Sequence, residues 1–135
     1  MDENILELMK NMDITEPASE EIIITVENKL NISFPLQYKE FMLKSNGAEG
    51  PIGDNSYLVI WPIEEIVELN EGYGVNEFTP GLVYFGSDGG GSAYAFDVRE
   101  KDIPIVEFPF DSIHIEDAGL IAGTFGEFIK KIYEM

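Results

Sequence analysis

The stretch FGSDGGGSAYAFD, Phe85 to Asp97, decides how this chain folds. Four glycines around one aspartate can cradle a phosphate, wrap a metal ion, or reverse the chain between two strands. The flanking residues choose among these. LVYF (82–85) and SAYAFDV (92–98) are apolar or alternating runs with the texture of strands. A phosphate-binding P-loop needs G-x-x-x-x-G-K-[ST] opening a helix, so that a lysine and the helix N-terminus meet the phosphates. Here no lysine follows, and a strand pattern does. GSDGGG also misses the G-x-G-x-x-G spacing, and GYGVNE (72–77) lacks both a third glycine and a preceding strand. A calcium loop needs oxygen ligands at alternate positions, whereas Asp88 stands alone with Asp97 nine residues on. GGSAY carries Tyr94 where a nucleophile elbow needs glycine. What survives is a five- or six-residue turn of a hairpin, with Gly86, Gly89, Gly90 and Gly91 expected to supply positive φ.

Outward from this hairpin, YLVIW (57–61) reads as a short buried strand and IPIVEFPF (103–110) as another, its two prolines suiting a sheet edge or strand ends. AEGPIGDNS before YLVIW reads as loop, and PIEEIVELNEG as a brief helix opened by Pro62 and closed near Gly72. Toward the N-terminus, Ile5, Leu8, Met9 and Met12 fall on one helical face. ASEEIIITVENKLN follows Thr15 and Pro17, which suit a helix start, with acids in its first turn and helical spacing through Ile22, Val26 and Leu30. The β-branched Ile22 to Thr25 argue for a strand, but the acidic start and the proline favour helix. In ISFPLQYKEFMLKSNG, Pro35 opens a helix that Asn46-Gly47 is expected to end. Thr124 and Glu127 have capping-box spacing, and Phe125, Phe128, Ile129 and Ile132 share a face behind them. Helices first, strands in the middle and a helix last predict an α+β fold: one domain over residues 1–135, with a largely antiparallel or mixed central sheet flanked by N-terminal and C-terminal helices.

Charge narrows the function. The chain of 135 residues carries 26 acidic and 8 basic residues, a net charge of −18, and residues 45–98 hold nine acids and no lysine or arginine. Nucleic acid is disfavoured as a partner, because neutralising phosphates takes clustered cations. A field of one sign instead steers encounter with a basic macromolecule, although acidity also serves solubility alone. With no cysteine there is neither a disulfide framework nor a thiolate site, which points to the cytoplasm. The acidic, amphipathic start MDENILELMK and the lack of an eighteen-residue apolar run point away from secretion and from the membrane. His114 in DSIHIED is a lone imidazole among acids, more in keeping with a surface or core filler than with a catalytic base. Among 26 acids some pairs must fall at the separations of about 5 to 9 Å that glycosidases use, so carboxylate pairing carries no information.

Four motifs in order resemble the SUKH superfamily, which includes yeast cell-wall-assembly regulators of the Smi/Knr type and many bacterial immunity proteins. ISFPLQYKEFMLKSNG (32–47) is similar to that family's apolar-P-x-x-Y-x-x-F-x-x-x-N-G signature. IWPIEEIVELNE (60–71), FGSDGGGSAYAFD (85–97) and TFGEFIKKI (124–132) continue the likeness, so that it spans Pro17 to Tyr133. The resemblance implies an α+β fold and a non-enzymatic binding protein. Its bacterial members commonly neutralise toxin domains, often nucleases, while others act as regulatory or scaffold modules. It brings no catalytic residue, cofactor or metal ligand.

A nuclease site is cationic because it binds phosphate, so its inhibitor should be anionic, as residues 45–98 are. Binding hot spots favour an aromatic anchor ringed by polar groups. The expected partner-binding set is therefore Trp61 with Tyr57, the helix acids Glu64, Glu65 and Glu68, and the loop acids Asp54 and Asp88. The competing assignment places Trp61 in the core and leaves the three glutamates as a solvated helix face.

Overall fold

The computed structural model describes residues 3–135. The elements follow in the order α1 (Glu3–Leu8), β1 (Asp13–Ile14), α2 (Glu20–Leu30), α3 (Leu36–Met42), β2 (Ala48–Ile52), β3 (Ser56–Ile60), α4 (Ile66–Gly72), α5 (Val75–Phe78), β4 (Leu82–Ser87), β5 (Ser92–Asp97), β6 (Ile105–Pro109), β7 (Gly119–Ala122) and α6 (Phe125–Glu134). The strands form one sheet in sequence order, each antiparallel to the next. The expected α+β class with helices at both ends is what the chain adopts.

Local chemistry explains the helix boundaries. Ser19 caps α2 by accepting from the Ile22 amide at 3.2 Å, and Asn31 ends it in left-handed geometry at φ 57°. Thr124 caps α6 by accepting from the Glu127 amide at 3.2 Å, while the Glu127 carboxylate reaches back to the Gly123 amide at 3.2 Å. One expected terminus moves. α3 ends at Met42, and Asn46-Gly47 instead forms the entry to β2, with Gly47 at φ +90°. A Cβ there would collide with the Ile60 carbonyl and lie 3.0 Å from Pro62 N, so glycine is what lets the chain entering β2 run close against the end of β3. AEGPI, read as loop, is β2 itself; Pro51 lies beyond the two residues of β1, where the edge demands no further bonding. Strand β7 and the short α5 also carry too little pattern to be seen in the sequence.

The alternation of strand side chains builds two apolar layers. On one face Phe85, Tyr94 and Phe96 meet α1, α2, α3 and α6 in the main core, where Phe85 and Phe96 stack at 4.3 Å and Tyr38 meets Phe96 edge-on at 5.0 Å. On the other, Tyr84, Ala93, Ala95, Val106 and Phe108 form a smaller cluster with Val75 of α5. At the far edge, the Lys131 ammonium donates to the Ile121 carbonyl of β7 at 2.5 Å.

Tyr38, from the P-x-x-Y motif, is fully buried, and its hydroxyl has no hydrogen-bond partner among the described residues. Burial pushes its phenol far above the ordinary range. Because an unpartnered buried hydroxyl costs stability, Tyr38→Phe is expected to leave unfolding free energy unchanged or raise it by about 1 kcal/mol. Denaturant midpoints measure this, and a clear loss would mean the hydroxyl is bonded.

Candidate functional site

The turn between β4 and β5 is organised by its own aspartate. Asp88 Oδ1 accepts from the amides of Gly90 at 2.8 Å and Ser92 at 3.2 Å, and Ser87 Oγ accepts from the Gly89 amide at 2.9 Å. Only Gly89 of the four glycines has positive φ, at +81°, which corrects the expectation that all four would. Gly86 is needed for a different reason. It sits opposite Ile60, and a Cβ there would run into the Val59 carbonyl.

That close approach ends abruptly. β3 and β4 pair only through Val59–Ser87 and Ile60–Gly86; the Trp61 amide then donates to Phe85 O at 3.0 Å, and Pro62 turns the chain away. The vacated edge of β4 is filled by a side chain of α4. Asn70 Oδ1 accepts from the Tyr84 amide at 2.8 Å, and its Nδ2 donates to Tyr84 O at 2.9 Å and Ile66 O at 2.7 Å. A carboxamide here does the work of a strand residue.

Asn46 anchors the same corner from below. Its Oδ1 accepts from the Ile63 amide at 2.8 Å, its Nδ2 donates to Glu64 at 2.6 Å, and its carbonyl accepts from Thr15 Oγ1 at 2.9 Å. Trp61 is thereby held at the rim of the sheet. The indole is half-buried: it touches both apolar layers and still reaches the surface, so the choice between core and surface dissolves. Tyr73, exposed at the end of α4, stacks on it at 6.3 Å with planes 9° apart, and Phe110 stacks on Tyr73 at 4.7 Å. Three aromatic rings thus form a ladder on the face opposite the main helices.

Beside the ladder, β1, β2 and β3 and the turn after Pro62 border an open groove of about 460 Å³ lined by Asp13, Glu49, Tyr57, Trp61 and Glu65 among others. Tyr57 donates to Glu49 at 2.8 Å, a diagonal pair on adjacent strands. The bonded Glu49 carboxylate pushes the Tyr57 phenol above its ordinary range.

Of the seven expected contact residues, Tyr57, Trp61 and Glu65 line this groove, and Glu64 is exposed next to it, tied to Asn46. Glu68 is exposed on α4. Asp88 is half-buried, with one oxygen engaged in its turn. Asp54 is exposed in the β2–β3 turn, at the opposite end of β3 from Trp61 and about 20 Å away along the strand direction. Sequence reasoning missed Asp13, Glu49, Tyr73 and Phe110. Period-two alternation through Ala48–Ile52 would have found Glu49, and the exposed aromatic of GYG was the one available signal for Tyr73.

A family model described as SMI1 / KNR4 family (SUKH-1) matches residues 17–131. The chain belongs to that family. This SUKH-1 chain is also similar to the uncharacterized protein YnaB of Bacillus subtilis (strain 168), at 39% identity over 84 residues, 62% of the chain and 49% of the relative. The match therefore spans about half the length of that relative. Among the described residues, no helix is long and apolar enough to cross a membrane.

One charged pair lies elsewhere, at the end of β5. Asp97 is buried and takes three bonds from Arg99: Nε to Oδ1 and Nη2 to Oδ2, each 2.9 Å, and the backbone amide to Oδ1 at 3.1 Å. The guanidinium holds its carboxyl below the usual range, against the opposing effect of burial. A depressed folded-state pKa means that this contribution is complete above about pH 4 and lost as pH falls through the lower folded value. Asp97→Asn is expected to cost about 1 to 2 kcal/mol at neutral pH, limited because Arg99 is half in water, with no difference from the parent at the acid end. Denaturation midpoints of both proteins from pH 7 to pH 2 check this; a constant difference across the range would show that the pair does not titrate as described.

Proposed function

We propose that this SUKH-1 chain is an immunity protein that binds and neutralises a basic bacterial toxin domain, and that the partner lands on the face carrying the aromatic ladder. The observation supporting this reading is a stacked aromatic anchor beside a groove whose charged lining is entirely acidic and is drawn mostly from a 54-residue segment lacking lysine and arginine. Aromatic rings held rigid by stacking lose little entropy on binding, and carboxylates around them select a cationic surface and speed its approach. The chain acts by occlusion and makes or breaks no covalent bond.

The test is co-expression with the toxin domain encoded beside its gene, with cell survival and affinity as readouts. Survival is expected to depend on this chain, and Trp61→Ala and Tyr73→Ala are each expected to weaken binding by about 30-fold, the scale of a hot-spot residue. Charge reversal at Glu64 and Glu65 should slow association and flatten its dependence on salt. Binding that leaves the partner's activity intact would favour a regulatory or scaffold role of the cell-wall-regulator type. Binding indifferent to Trp61, Tyr73 and salt would remove this face from the account.

A further inference from the structure

Resting on the reading of this face as the partner surface, we infer that the groove between Tyr57 and Trp61 is a receptor for a single arginine side chain of the partner, with the guanidinium lying along the indole. Four observations lead there. The groove has an apolar floor, with Val59 and Pro62 among its lining, so an aliphatic stem finds cover. Its charged lining is Asp13, Glu49 and Glu65, with no lysine or arginine among the lining residues. Glu49 is already oriented, because Tyr57 donates to it at 2.8 Å, so its position does not have to be fixed on binding. The indole is held by Tyr73, stacked at 9°, while still forming part of the groove wall.

An ammonium would satisfy the charge alone. A guanidinium satisfies more: its plane stacks on an indole, and its five donors can serve several carboxylates at once. The site therefore discriminates between two cations of equal charge, which a diffuse acidic surface cannot do.

Trp61 is the sole tryptophan, so its emission reports the groove directly. Titration with hexa-arginine and with hexalysine at low ionic strength tests the inference. A saturable change in Trp61 emission is expected with hexa-arginine at about tenfold lower concentration than with hexalysine. Glu49→Gln and Glu65→Gln should each weaken hexa-arginine by at least about threefold, as should Tyr57→Phe, which releases Glu49. Glu134→Gln, the same charge change on α6, should leave it within about twofold. Equal response to the two peptides, or equal loss in all three glutamine variants, would reduce the groove to part of a general acidic field and overturn the inference. A toxin that still requires Trp61 and Tyr73 while hexa-arginine is not distinguished would remove the arginine receptor and leave the partner surface standing.

Discussion

Asn70→Leu is expected to lower the unfolding free energy of this chain by about 4 kcal/mol, the largest loss from any single side chain considered. Leucine matches the shape of asparagine but offers neither donor nor acceptor. The Tyr84 amide and carbonyl, now satisfied at 2.8 and 2.9 Å, would be stranded on the inside of the structure, because β3 has already turned away at Pro62. Each buried backbone group left without a partner costs about 1 to 3 kcal/mol. The shape match also keeps water from entering to replace the lost bonds. Urea unfolding measures the loss, and amide exchange should show the Tyr84 N–H losing protection ahead of its neighbours in β5. A loss below about 1 kcal/mol would mean that the β4 edge finds another partner. If the ladder is the proposed partner surface, the variant should also weaken binding, because α4 delivers Tyr73 to it.

Gly86→Val is expected to cost about 3 kcal/mol or more, while Gly91→Val, five residues along the same stretch, stays within about 0.5 kcal/mol of the parent. Neither glycine has positive φ, so backbone strain does not separate them. Space does. A Cβ on Gly86 runs into the Val59 carbonyl of the neighbouring strand, whereas one on Gly91 meets nothing within 4 Å. The clash is with backbone, which can yield only by parting β3 from β4 at the two residue pairs that join them. Since Trp61 follows directly, its emission should shift along with the unfolding midpoint. Equal effects at the two positions would show that the turn, and not the strand contact, sets the demand for glycine.

These two glycines also show what could be read beforehand. The sequence marks the hairpin clearly, because two apolar runs flank a glycine cluster that fits no ligand motif. It does not say which glycine answers to φ and which to a neighbour, since that neighbour lies some 27 residues away in the chain. The α6 cap is legible for the same local reason, since Thr124 and Glu127 sit three apart, whereas α2 is capped at Ser19 and not at the Thr15-Pro17 signal. Asn46-Gly47 reads as a helix end because its partners come from two distant segments, Thr15 from one and Ile63 with Glu64 from the other. Of the expected contact residues, Tyr57, Trp61 and Glu65 do meet at one groove, whereas Asp54 lies at the far end of β3. Tyr73, Phe110 and Glu49 belong to the site through tertiary stacking and a strand concealed by Gly50 and Pro51.

The borders of the sheet restrict what can approach it. One outermost strand is only two residues long, and at the other a lysine ammonium occupies a backbone carbonyl. Neither margin offers an extended ribbon to a foreign polypeptide, so recruitment by strand addition, and with it runaway self-polymerisation, is discouraged from both sides. A visitor must be recognised by its side chains.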